Sequence, residues 1–329
     1  ETDREKVERN KEEIFRLHAV ALQWMEAYTG IKYPFQKFDF ALIPGFQYGG
    51  MEHVGAIQYR ANSLFLDEDP SQNQLLSRAS LIGHETAHMW FGDLVTMDWF
   101  NDVWTKEVFA NFMAAKMVNP SFPEIDHQLN FLMRHYPAAY SVDRTAGANA
   151  IRQELQNLNE AGQMYGAIIY NKAPIMMRQL EIMLGEDTFR AGMQRYLTTY
   201  ANKNATWPNL IDILDQLTPI DLVEWSAVWV NAPGRPQFAW EVDATDTGRL
   251  TQFDPQGEKV WPQLLSMKLF EDQGIKEFQL ASAEGAFETA LGAGWSEAAA
   301  LINTDGIGYG LFPVDFELFN GQWTQLKDL

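Results

Sequence analysis

Apolar residues recur every three to four positions from the start of the chain. Val7, Ile14, Leu17, Ala21, Leu22, Trp24 and Met25 stand among charges over residues 1–28, the spacing of an amphipathic helix. Residues 37–43 begin by alternating and stop at Pro44, which predicts a strand. The Gly49-Gly50 pair marks a turn, and residues 56–60 read as a second short strand at a sheet edge. Ser71 is placed to cap a helix over 74–91. After a loop with Gly92 and Asp93, Asn101 or Asp102 caps another helix that runs to about Met117. Helical spacing continues over 124–136, 162–184 and 187–200. It resumes after Thr206-Trp-Pro, with proline in the first turn, and over 220–230.

The texture changes at residues 231–236, where two prolines and a glycine fall within six positions. Beyond them the apolar runs are short: 237–242, 264–270, 276–280, 299–303 and 309–313. Asp272-Gln-Gly and Asp305-Gly act as turns between them. The fold class expected is therefore α+β. A mostly helical unit with a small sheet spans 1–233, and an all-β sandwich spans 234–329.

Composition narrows the function. Of 329 residues, 25 are Lys or Arg and 44 are Asp or Glu, a formal charge of −19 that lacks the basic footprint of a nucleic-acid binder. No apolar run is long enough to span a membrane. The charged stretch at 1–9 is no signal peptide, and the missing initiator Met reads as a cut from a longer protein. Cysteine is absent, so disulfides, thiolate metal sites and cysteine nucleophiles are ruled out, and any metal must sit on His and carboxylates. The same absence tilts weakly toward a periplasmic or otherwise exported protein.

The candidate chemistry lies in the helix predicted over 74–91, which carries His84-Glu-Thr-Ala-His88. Residues four apart share a helical face, so both imidazoles can reach one ion, and Glu85 is close enough to face a water beside it. Zinc suits this donor set, since it takes N and O ligands without thiolate. A catalytic zinc needs a third protein ligand. Glu107, flanked by Trp104 and Phe109 on the next helix, is an acid in apolar surroundings that requires a partner. His18, His127 and His135 read as packing or surface residues.

With eighteen residues between His88 and Glu107, this spacing resembles the gluzincin zinc metallopeptidases of the aminopeptidase N family, which also holds the leukotriene hydrolases. The run from Trp90 to Thr96 resembles the family's stretch after the second His. Gly49-Gly-Met-Glu-His53 resembles its Gly-x-Met-Glu-Asn exopeptidase motif, and Tyr170-Asn-Lys-Ala173 its Tyr-x-Lys-Gly. The chain departs from the pattern at His53 for Asn, at Lys106-Glu-Val for Asn-Glu-Gly, and at Ala173 for Gly.

The resemblance implies a thermolysin-like catalytic fold with one Zn2+ on His84, His88 and Glu107, and Glu85 as general base. It implies that Tyr170 donates a hydrogen bond to the oxyanion, although by spacing alone Tyr165 is its rival. Glu52 would bind the substrate's α-amine, and the Gly49-Gly50-Met51 backbone, with His53 beside it, would lie along a peptide that has a free N-terminus. The segment from 300 to Tyr309 and Asp315 resembles the family's sandwich strands. Family members also place a β domain ahead of this region, so the isolated chain is expected to bind zinc and turn over poorly. Competing expectations are a zinc endopeptidase, an epoxide hydrolase, or a catalytically silent relative.

Overall fold

In a computed structural model, the structure describes residues 3–160, 166–271, 274–281, 285–295 and 297–314. Tyr165, the Asp272-Gln turn and Asp315 lie outside the described residues.

The first amphipathic pattern forms α1 (Asp3–Thr29), which buries Ile14, His18, Ala21 and Met25. β1 (Phe40–Ile43), β2 (Gly50–Met51) and β3 (Ile57–Arg60) make a three-stranded sheet in the order β1-β3-β2, with β1 parallel and β2 antiparallel to β3. The strand at 56–60 is thus central, not at an edge. Its inward residues Ile57 and Tyr59 are fully buried, and β2 supplies the outer strand that the sequence pattern read only as a turn. A single turn, α2 (Ala61–Leu64), leads towards α3 (Gln72–His88).

Ser71 caps α3 in a reciprocal capping box with Gln74. The helix ends at His88, three residues short of the expectation. Met89, Trp90 and Phe91 are drawn into the core, and Gly92 takes the turn at φ +136°. β4 (Val95–Met97) follows, paired in parallel with β5 (Lys203–Ala205). A 3₁₀ turn over Phe100–Asp102 leads into α4 (Val103–Val118). Asp102 holds the N-cap position without a capping bond, because its carboxylate accepts from Arg152 Nε at 2.6 Å and Nη2 at 3.2 Å instead. α5 (His127–Asp143) outruns its predicted end and accommodates Pro137. A π-helical turn, Ile168–Lys172, precedes α6 (Ala173–Leu184), α7 (Glu186–Tyr200), α8 (Trp207–Asp215) and α9 (Leu222–Trp229).

The C-terminal part holds two three-stranded antiparallel sheets. β6 (Gln237–Val242), β7 (Thr247–Phe253) and β10 (Ala286–Ala290) form one, in the order β10-β7-β6. β8 (Leu264–Glu271), β9 (Gly274–Ala281) and β11 (Ala299–Ile302) form the other, in the order β11-β8-β9. Both sheets feed one apolar cluster that includes Phe238, Leu250, Leu265, Met267 and Leu280. The strand expected at 309–313 reduces to a bridge between Leu311 and Gln237. The sequence pattern also missed β7 and β10, whose inward positions include Gly248, Gln252 and Thr289 among the apolar ones. The two parts interlock: Trp261 and Tyr309 pack into the helical core, and buried Gln179 of α6 bonds Leu264 and Ile307.

His18 is part of this packing. It is 3% exposed, stacks on Phe40 at 4.2 Å, donates from Nδ1 to Ile14 O at 2.7 Å and accepts from the Tyr59 hydroxyl at 3.0 Å. Burial pushes its pKa down to about 4. The unfolded chain, with His near ~6.5, binds the proton first, so this contribution is complete above that pH and is lost as pH falls towards 4. The full contribution is about 3 kcal/mol. Replacing His18 with Gln should lower stability at neutral pH and flatten the loss between about pH 6.5 and 4. Urea denaturation across that window checks it, and an unchanged slope would refute the assignment.

Candidate active site

The site is built where α3 crosses α4. Gly83 permits the close approach, because a Cβ there would sit 3.2 Å from Met117 Sδ and 3.3 Å from the Ala114 methyl. This proximity brings Glu107, one helix away, to the histidine face of α3. His84 and His88 stand edge to face with ring centroids 4.5 Å apart, and their Nε2 atoms are 3.0 Å apart. Glu107 Oε2 lies 3.6 Å from His84 Nε2. Among the described residues, two overlapping donor groups have ligand atoms within 4.8 Å of one another: His84, Glu85 and His88, and Glu52, His88 and Glu107.

The imidazoles are prepared to act as ligands. His88 Nδ1 lies 3.0 Å from Phe91 O, a carbonyl that can only accept, so Nδ1 donates there and Nε2 is the ring nitrogen turned to the cluster. That carbonyl is in place because the chain leaves the helix at His88. Burial, then the neighbouring His88, pushes the His84 pKa well below its ordinary value and keeps the ring neutral.

Glu85 is 3% exposed, and its Oε2 has no hydrogen-bond partner among the described residues. Burial, reinforced by the charges of Glu52 and Glu107, pushes its pKa up to about 9 in the protein alone. β2 runs directly over this carboxyl. A Cβ on Gly50 would fall 2.7 Å from Glu85 Cγ and closer still to the carboxylate, so a side chain there would displace Glu85. The donor spacings of 3.0 and 3.6 Å bracket the roughly 3.3 Å separation of two ligands around a tetrahedral ion with ~2.0–2.1 Å bonds. The residues present therefore fit a small divalent cation, and the unpaired oxygen of Glu85 is left to face what that cation binds.

Residues 15–229 match the model of the peptidase family M1 domain. The chain belongs to peptidase family M1. It is 32% identical over 237 residues to probable aminopeptidase 1 of Sulfurisphaera tokodaii, covering 71% of this chain and 30% of that protein. It is 34% identical over 221 residues to the puromycin-sensitive aminopeptidase of Caenorhabditis elegans, covering 67% and 23%. With the aminopeptidase N of Streptomyces lividans it shares 30% over 242 residues, covering 73% and 28%. The chain thus spans about 30% or less of the length of these relatives.

In this M1 chain the exopeptidase-like motif lies where β2 ends. Gly50 and Met51 pair with Tyr59 and Gln58, and the outer side of β2 is the free edge of the sheet. Glu52 points into the site and pairs with the Lys106 ammonium, which also lies 3.6 Å from Glu107 Oε1. Burial opposes the Glu52 charge, but His88 and Lys106 outweigh it and hold its pKa down to about 2. His53 is exposed, and its carbonyl accepts from the Ala56 amide at 2.9 Å in the turn into β3. Tyr170 sits on the π-helical turn, 39% exposed. Asp93, in the loop after His88, is pushed up to about 7 by burial and by the Glu52 charge.

Sequence reasoning gave no role to two residues that the structure makes prominent. Lys106 was read only as a departure from the family pattern, and its reach to Glu52 spans 54 positions. Lys172 was read only as a motif letter. It is wholly buried, and the sole signal of that was its place in the apolar run from Ala167 to Met177.

Proposed function

We propose that this chain is the catalytic part of a zinc aminopeptidase that removes the N-terminal residue from peptides. In this reading residues 1–233 form a thermolysin-like unit and 234–329 a spacer sandwich. One observation carries it: the imidazoles of His84 and His88 and the Glu107 carboxylate converge, with a buried Glu85 oxygen that has no hydrogen-bond partner among the described residues beside them. The names of the relatives support the activity.

His84, His88 and Glu107 would hold the zinc. Bound there, it supplies Lewis acidity and brings a water's pKa towards ~7. Glu85 would take a proton from the attacking water and return it to the leaving amine. The Tyr170 hydroxyl donates to the oxygen on which charge develops. Glu52 pairs with the substrate ammonium, which sets exo- over endopeptidase action: an interior peptide bond brings no ammonium that could gain from this partly buried carboxylate. The outer edge of β2 offers the backbone of Gly50 to an extended substrate, while the Gly49 carbonyl is already taken by the Arg60 amide.

The test combines metal analysis with a panel of aminoacyl reporter substrates and their N-acetylated counterparts. One zinc per chain is expected, with hydrolysis of free-amine substrates only and loss of both zinc and turnover on chelation. Equal cleavage of acetylated substrates would favour an endopeptidase, and zinc without any hydrolysis would favour a silent relative.

A further inference from the structure

Lys106 precedes Glu107 on α4, and its side chain crosses to the loop after β2. There its ammonium pairs closely with Glu52 Oε1 and lies 3.6 Å from Glu107 Oε1. The pair is sheltered, with 20% of the Lys106 and 13% of the Glu52 side chain exposed. The carboxylate read above as the receptor for a substrate amine therefore already holds a primary ammonium, one chemically equivalent to the group it would recognise.

We propose that Lys106 is a specificity-determining residue, a resident competitor that a substrate's amine must displace from Glu52 or share it with. This rests on the aminopeptidase reading of Glu52. Two like charges at one carboxylate repel, so the second is held less tightly than it would be alone. The competition is intramolecular, so it acts at every substrate concentration. It follows that this site holds free amines weakly, before and after cleavage, and that the weakness is written in one side chain. Groups without an amine neither compete with Lys106 nor gain from its removal.

The experiment measures Kd by calorimetry on the zinc-loaded chain. The probes are leucinol, which has a free amine and no scissile bond, and N-acetyl-leucinol. Zinc content and thermal midpoint are followed in every variant. Lys106→Met should tighten leucinol about tenfold and leave N-acetyl-leucinol unchanged. Lys106→Arg keeps the charge and should stay near the parent value. In a Glu52→Gln background the gain from Lys106→Met should vanish. Leucinol affinity that is unchanged or weakened in a zinc-replete Lys106→Met protein overturns the proposal, provided Glu52→Gln still loses leucinol. If Glu52→Gln leaves leucinol binding untouched, or if leucinol binds no variant, the amine-receptor reading of Glu52 fails and the competitor proposal with it. A gain shared by N-acetyl-leucinol also overturns it, because Lys106 would then act by bulk.

Discussion

Changing Glu85 to Gln should lower kcat by about 10²- to 10⁴-fold, the usual share of a positioned base, while zinc content stays at one per chain. Gln keeps the shape of the side chain that lies against Gly50. It leaves His84, His88 and Glu107 untouched, so the ligand set survives. What it lacks is a lone pair basic enough to take a proton. Loss of fold is excluded by a second measurement. The wild-type carboxyl is buried with an unpaired oxygen and carries a raised pKa in the protein without metal. Its replacement by a neutral amide should therefore leave the metal-free thermal midpoint equal or higher. Turnover that survives in a zinc-replete Glu85→Gln protein would remove Glu85 from the base role. A fall in zinc content would make it a ligand instead.

The largest stability loss is expected at the buried pair of Asp143 and Lys172. Both side chains are wholly buried, with Lys172 Nζ 2.7 Å from Asp143 Oδ2. The ammonium also donates to Gly234 O at 2.7 Å, and the Tyr309 hydroxyl donates to Asp143 Oδ2 at 3.0 Å. Burial pushes the Lys172 pKa down even against the attraction of Asp143, so the charge survives on its partner's account. Asp143→Ala strips that partner and strands an ammonium in the core, at a cost of about 3–5 kcal/mol. The denaturant midpoint should drop sharply with little change in slope. Replacing both together, as Asp143→Leu with Lys172→Met, should recover most of the loss, because no uncompensated charge remains. A double variant as unstable as the single would show that packing, not charge, is what the pair provides. The same cluster joins the end of α5, the turn carrying Tyr170, the 231–236 linker and the segment bearing Tyr309. The Lys of the Tyr170-Asn-Lys motif is thus an anchor for that turn.

Reading the chain in one dimension succeeded where the relevant physics is local. Four-residue spacing puts His84 and His88 on one face whatever surrounds the helix, and the Ser71 and Thr206 capping boxes close over three residues. It failed where a partner arrives from elsewhere. Asp102 has the side chain of a cap, but Arg152 takes its carboxylate. Residues 56–60 have the look of an edge strand, but a two-residue neighbour too short to show periodicity covers one side.

The order of residues by itself determined the α+β composition, the histidine face and the choice of nitrogen and oxygen as the only strong ligand atoms available. Local backbone geometry and the absence of thiols leave no other answer. Only the tertiary structure decided that Gly50 lies against the Glu85 carboxylate, that Lys106 reaches Glu52, and that Lys172 anchors the turn that bears Tyr170 to Asp143 and Gly234. These contacts join positions tens of residues apart, and they exist because packed helices and strands bring distant positions within a few ångströms, a distance that no repeat along the chain encodes.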